Sequence, residues 1–307
     1  MIDIIIPVFN GHKTIKKTLL SIMMQVNINE INVYLIDDAS KKGYDEEYNL
    51  FKDKINLTIY RLEKNMGPGY ARQYGIENSD SDYILFMDSD DLLHDCFSAK
   101  KLYEAALDTQ SDVIVGDMAE IYDDEILKYT VGFDVLHAKM YKREFLEKNN
   151  ISFPNMYNSE DLSFNNLVLM SCPKIEYIDD FVYVYIRRDN SLTMSKDYYS
   201  KKHIKYYTKN LIWTIKKAEE NNYNNKEIAK IVCFSFAYLY YYFYNNLDDN
   251  QIIYVYNIIP VYNKYEKFLS IKEKTECVDF WLERFDETPI DLSFNEFISL
   301  CEKKYTT

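Results

Sequence analysis

Apolar positions along the first half of the chain follow two alternating periods. Ile2–Phe9 (IDIIIPVF), Ile31–Asp37 (INVYLID), Asn56–Leu62 (NLTIYRL) and Asp82–Met87 (DYILFM) are short, nearly continuous apolar runs rich in β-branched residues. Such runs predict strands covered on both faces. Between them the period lengthens: Ile15, Leu19, Ile22 and Val26 fall four, three and four positions apart, the buried stripe of a helix entered from Asn10. Gly69–Ser79 (GYARQYGIENS) predicts a second helix ahead of the fourth strand. Strands alternating with helices build a parallel sheet flanked by helices, and ligands of such open sheets bind just past the carboxyl ends of the strands.

Beyond Cys96 the pattern changes. It predicts a helix over Ser98–Leu107, a strand over Asp112–Met118 (DVIVGDM), a hairpin turn at Tyr122–Glu125 (YDDE) and a helix over Tyr141–Asn149 (YKREFLEKN). Two further short runs come next, Lys174–Asp179 (KIEYID) and Phe181–Arg187 (FVYVYIR). From about Tyr198 onward nearly everything reads as helix, with no repeat and no low-complexity linker. The expected organisation is an α/β domain over residues 1–197 and a helical domain over 198–307. Cys233–Tyr244 (CFSFAYLYYYFY) is the most apolar later stretch, too short to span a bilayer and read as a buried helix, with Trp213 and Trp281 also expected in the core.

Composition narrows the class. The 307 residues, 47% of them hydrophobic, provide core material without staples. The five cysteines, Cys96, Cys172, Cys233, Cys277 and Cys301, contain no CxxC pair, which argues against a disulfide framework and a zinc ribbon and suits a reducing cytosol. The opening MIDIIIPVFN resembles neither a signal peptide nor a membrane span. A cytoplasmic protein is expected, with peripheral contact at the inner membrane face and homo-oligomerisation left open. The formal net charge of −13 opposes indiscriminate binding to nucleic acid, whose affinity comes mainly from neutralised phosphates.

Against that background, Tyr83–Asp91 (YILFMDSDD) places three carboxylates, Asp88, Asp90 and Asp91, at the tip of a buried strand. One acid suffices to cap a following helix, whereas three repel one another unless a hard cation or strong donors compensate. Asp37 and Asp38 (LIDDAS) end the second strand in the same way and suit hydroxyls or a base edge, although a turn-forming Asp pair would read alike. Asn65–Gly75 (NMGPGYARQYG) sets Gly67 and Gly69 around Pro68 at a helix entrance, with Arg72 one turn inside. That start offers free N–H groups and a guanidinium fork to a phosphate or carboxylate. The histidines show no HxxxH spacing, so a zinc centre is not expected.

In this order and spacing, Pro7, Phe9 and Asn10, LIDDAS, NMGPGYARQYG and ILFMDSDD resemble the nucleotide-binding half of the family 2 glycosyltransferases with the GT-A fold, over roughly residues 2–195. The resemblance implies a uridine pocket lined by Pro7, Phe9 and Asp38, with Asn10, Asp37, Asn65, Gly67, Arg72 and Ser89 around the nucleotide sugar. It places the DxD motif on Asp88 and Asp90, the first facing ribose and metal, the second holding Mn²⁺ or Mg²⁺. It also makes Asp161 in NSEDLSF the catalytic base, with Glu160 orienting it or binding acceptor. A closing loop would bring Arg187, Arg188, Ser191 and Thr193 to the leaving diphosphate, without the histidine many relatives carry there. The activity implied by the resemblance is an inverting transfer from a nucleotide sugar, most simply a UDP-sugar, to a hydroxyl of a glycan, polyol-phosphate or lipid-linked acceptor.

Alternatives keep a place beside it. Paired carboxylates also serve glycoside hydrolases, which need neither metal nor nucleotide. A nucleotidyltransferase would carry a glycine-rich phosphate loop that PVFNGHKT lacks. A non-catalytic nucleotide- or glycan-binding module would share the rim without turnover. Ser195–Lys217 carries seven lysines interleaved with tyrosines, either an ordinary solvated helix face or a docking surface for an anionic polymer, lipid-linked phosphate or nucleic acid.

Overall fold

A computed structural model describes residues 1–122, 125–133, 135–156, 159–188, 201–246, 252–284 and 296. The chain divides into two compact units, Met1–Met194 and Ser195–Thr307.

The first unit is built on β1 (Ile2–Val8), which is apolar apart from Asp3 and buried from end to end. Parallel partners lie on both sides, β2 (Ile31–Asp37) and β4 (Tyr83–Phe86), and β3 (Asn56–Arg61) extends the sheet beyond β2. The crossovers are α1 (Ile15–Met23), α2 (Asp45–Phe51) and α3 (Pro68–Glu77). In α1 the stripe Ile15, Leu19 and Ile22 is buried as its spacing predicts, but Val26 lies beyond the helix and is 51% exposed. Gly75 lets α3 approach the sheet: a Cβ there would stand 2.4 Å from Ile5 Cγ2.

Past β4 the pairing turns mixed. The order among the described residues is β3-β2-β1-β4-β8-β6-β9-β5, with β7 paired to β6. The later elements are β5 (Leu92–Leu93), α4 (Ser98–Thr109), β6 (Val113–Tyr122), β7 (Glu125–Thr130), β8 (Lys139–Lys142), α5 (Arg143–Lys148), α6 (Glu160–Met170) and β9 (Ile175–Ile186). Two expectations need correction. The start of the expected helix at Tyr141 is instead the end of β8, a strand the sequence pattern did not disclose, antiparallel to β4 and β6. KIEYID and FVYVYIR form the single strand β9, and the polar Asp179–Asp180 that divides them falls where its register with β6 shifts.

Registers such as Val8 with Asp37 and Ile5 with Phe86 bring the carboxyl ends of β1, β2 and β4 onto one rim. The opposite end is fastened around Asp3, a buried carboxylate that accepts from Asn32 Nδ2, Ser81 N, Ser81 Oγ and Arg143 Nη2. Its charge is thereby paired and hydrogen-bonded, as a buried ion must be.

The second unit is helical: α7 (Lys201–Glu220), α8 (Asn225–Asn246), α9 (Ile252–Tyr256), α10 (Ile259–Tyr265) and α11 (Ile271–Arg284). Its core centres on α8, where Ile228, Val232, Phe236 and Leu239 are buried and Phe236 stacks on Tyr262. Trp213 and Trp281 are only half-buried, contrary to expectation; Trp281 lies against Phe234 and donates to that residue's carbonyl. Among the described residues no helix is long and apolar enough to cross a membrane.

Candidate active site at the carboxyl rim

Three loops are tied together where β1 and β2 end. Asn10 takes a positive φ of 54°, its N–H donates to Ser40 Oγ and its Oδ1 accepts from Lys41 N. Asp37 is buried, accepts from Ser40 N and pairs with Arg61 at 3.0 Å. Asp38 accepts from Met66 N at 2.7 Å and Gly67 N at 2.8 Å, fixing the entrance to α3 beside Asn65. Burial nevertheless pushes its carboxyl upward, against those two bonds. Pro7 is buried inside β1, while the Phe9 ring is 52% exposed at the rim and offers a flat apolar face.

Arg72 stands at the centre. Its side chain is 7% exposed, with Nη2 2.7 Å from Asp88 Oδ1 and Nη1 2.8 Å from Glu160 Oε1. One guanidinium thus links the loop after β4 to the start of α6. Burial opposes ionisation of Asp88, but Arg72 and His137 outweigh it and hold the carboxyl far below the usual range. Burial pushes Glu160 up to about 7 despite Arg72. Half-buried Asp161 is also raised, chiefly by burial, and its Oδ1 accepts from Leu162 N. Both acids occupy the first turn of α6, where the helix dipole favours negative charge.

The three acids after β4 part company. Asp88 faces Arg72 and His137, its Oδ2 lying 3.1 Å from His137 Nε2. Asp91 is buried, accepts from Tyr183 OH and Ile186 N, and burial raises it to about 7. Asp90 is ion-paired with Arg188 instead. Ser89 is half-buried beside Gly11, and Arg187 pairs with Glu120 at 3.1 Å. Ser191 and Thr193 lie outside the described residues.

Among the described residues, Asp88, Asp91 and His137 form a group whose possible ligand atoms all lie within 4.8 Å of one another. His137 carries no sequence motif. Its place becomes legible only once β8 is seen to lie beside β4 and the loop before β8 to reach the rim. Burial works against its proton, but Asp88 and Asp91 raise its pKa above the ordinary value.

The sequence profile of glycosyl transferase family 2 matches residues 3–162, more than half of the chain. The chain belongs to glycosyl transferase family 2. Among curated relatives, it is 26% identical over 219 residues to the Staphylococcus aureus poly(ribitol-phosphate) β-N-acetylglucosaminyltransferase TarP, covering 64% of this chain and 66% of that protein. It is 27% identical to the poly(ribitol-phosphate) β-glucosyltransferase of Bacillus spizizenii over 215 residues, 64% of this chain and 34% of the relative. The alignments thus span less than two thirds of these relatives' lengths. A crystal structure of S. aureus TarS residues 1–349 with UDP-GlcNAc shares the fold, with a TM-score of 0.74 and 18% identity across 99% of this chain and 91% of that one. The family 2 membership and GT-A fold that the motifs implied both hold.

Proposed function

We propose that this family 2 protein transfers a sugar from a nucleoside-diphosphate sugar, most simply a UDP-sugar, to an acceptor hydroxyl with inversion at the anomeric carbon. The observation that carries the reading is Arg72, which joins Asp88 on the nucleotide side to Glu160 beside the candidate base. A hydrolase would not need an exposed rim aromatic and a donor-lined loop at the opposite end of the same cluster. Phe9 stacks the base, and Asp38 positions the loop bearing Asn65 and Gly67 around the ribose. Asp161 takes the proton from the attacking hydroxyl, which approaches the face opposite the leaving diphosphate. Glu160, held by Arg72, orients that hydroxyl, while Arg187 and Arg188 receive the departing charge.

The donor set fits a divalent cation such as Mn²⁺ or Mg²⁺. Asp88 would hold it, together with Asp90 or with Asp91 and His137. When bound, a cation of this kind neutralises charge that grows on the diphosphate. A fold relative from Pyrobaculum calidifontis, a mannosyltransferase with a TM-score of 0.54, was crystallised with GDP-Man and Mn²⁺.

For the acceptor we favour an anionic polyol-phosphate polymer, the substrate named for the curated relatives. Lys205, Lys209 and Lys216 repeat at spacings of four and seven on α7, and no described carboxylate lies within 4 Å of them. The helical domain over 198–307 would then serve the acceptor side.

A screen of nucleotide sugars for metal-dependent hydrolysis identifies the donor, and Asp161→Asn tests the mechanism. That variant should bind UDP as the parent does and lose transfer by about 10²–10⁴-fold. Unchanged turnover would remove Asp161 from the role, and UDP binding without any turnover in the parent would indicate a binding module.

A further inference from the structure

The loop that leaves β1 carries the exposed Phe9 ring, and two buried hydroxyls from beyond β2 take up its backbone N–H groups. Asn10 N donates to Ser40 Oγ at 2.8 Å, and Gly11 N donates to Tyr44 OH, also at 2.8 Å. The two hydroxyl oxygens stand 3.4 Å apart. Ser40 and Tyr44 are only 1% and 3% exposed, so water has little room to replace either oxygen once it is removed.

Further contacts hold this clasp in place. Ser40 N donates to Asp37 Oδ1, and the Ser40 carbonyl accepts from Arg61 Nη2 at 2.6 Å. The His12 ring covers Tyr44, with centroids 4.2 Å and planes 20° apart, and its Nδ1 lies 3.6 Å from the buried Glu47. On its other side Gly11 rests against the end of β1, where a Cβ would stand 2.7 Å from Val8 Cγ2 and 3.2 Å from Ser89 Oγ. Asn10 meanwhile keeps φ at 54°, a left-handed value that a residue other than glycine holds only when its surroundings impose it. The Phe9 ring is 52% exposed and has little packing of its own, so it inherits its position from the backbone of Asn10 and Gly11.

Building on the transferase reading, we propose that Ser40 and Tyr44 are positioning residues for the nucleobase, which touch no substrate yet set the Phe9 ring and with it the size of base that fits. A wall held by two hydrogen bonds leaves a gap of one width. Released, it yields to larger and smaller ring systems alike, and selectivity, which is a difference of affinities, falls.

Calorimetry of UDP and of GDP with the full chain, with Tyr44→Phe and with Ser40→Ala tests this, each variant losing one oxygen and little volume. UDP should bind the variants about five- to thirtyfold more weakly, and the ratio of UDP to GDP affinity should move about threefold or more towards one. With the UDP-sugar that the parent hydrolyses, KM should rise in step while kcat stays within about twofold, because Arg72, Glu160 and Asp161 are carried by α3 and α6. Hydrogen exchange over residues 9–12 should quicken about tenfold, a readout that needs no ligand. UDP affinity within about twofold of the parent in both variants overturns the proposal, as does an equal loss for UDP and GDP with kcat falling alongside it. A parent that binds neither nucleotide sinks the transferase reading and this proposal with it, whereas failure in the variants alone leaves that reading standing.

Discussion

Replacing Arg72 by methionine tests whether one buried guanidinium holds the two halves of the site. The change keeps most of the side-chain volume and removes both charge-assisted bonds. The two arms are unequal. Asp88 is about a third exposed, so water screens much of what it would lose, whereas the Glu160 side chain is 8% exposed and would be left as a buried carboxylate without its partner. Breaking a buried pair from one side costs about 3–5 kcal/mol. For a unit of this size that corresponds to a melting temperature lower by roughly 6–20 °C. Glu160 has an escape, which is to take up a proton. Its pKa is already raised to about 7 by burial, with Arg72 pulling the other way, so removing Arg72 sends it higher. A carboxyl whose folded pKa is raised contributes stability below its ordinary pKa and loses it as pH rises through the folded value. The penalty of Arg72→Met is therefore largest at pH 8 and shrinks towards pH 5, where Glu160 is protonated in parent and variant alike. Urea unfolding at both pH values measures it. Glu160→Gln in the same background should recover about 2–3 kcal/mol at pH 8 as a coupling energy. A variant within 0.5 kcal/mol of the parent at pH 8, or strict additivity with Glu160→Gln, would refute the reasoning.

Two other outcomes rest on the same geometry. Because burial raises the Asp161 carboxyl, and the base must be ionised to accept a proton, the acid limb of kcat/KM should decline tenfold per pH unit from a point above the ordinary aspartate range; a limb placed at the ordinary aspartate value would contradict it. Gly69→Ala would set a Cβ 2.9 Å from Glu160 Cβ and Cγ and from the Pro154 carbonyl oxygen. A backbone atom cannot yield cheaply, so α3 and α6 should separate at a cost of about 1–3 kcal/mol, with kcat falling while the affinity for UDP measured by calorimetry stays within about threefold.

What the sequence disclosed and what it concealed divide along the sheet. The strands from β1 to β4 and the crossovers between them rest on local periodicity, and motifs at their ends inherit fixed positions on the rim. Asp38, Arg72 and Asp88 were legible for that reason. β8 was not: KMYK is four residues long, its Lys139 is buried with its ammonium donating to the Val135 carbonyl, and no alternation marks it as a strand. Missing β8 hides His137, which reaches Asp88 only because the strand just after it pairs with β4. The three acids of DSDD illustrate the same limit at finer scale. Their shared loop and like charge foretold that something must compensate them, and compensation is indeed what each receives. Which partner each finds depends on long-range neighbours: Arg72 from α3, Arg188 after β9, and Tyr183 within β9. Charge count is a local property readable from the chain, whereas charge pairing is tertiary, so the motif located the site while the fold decided which of its carboxylates remain together.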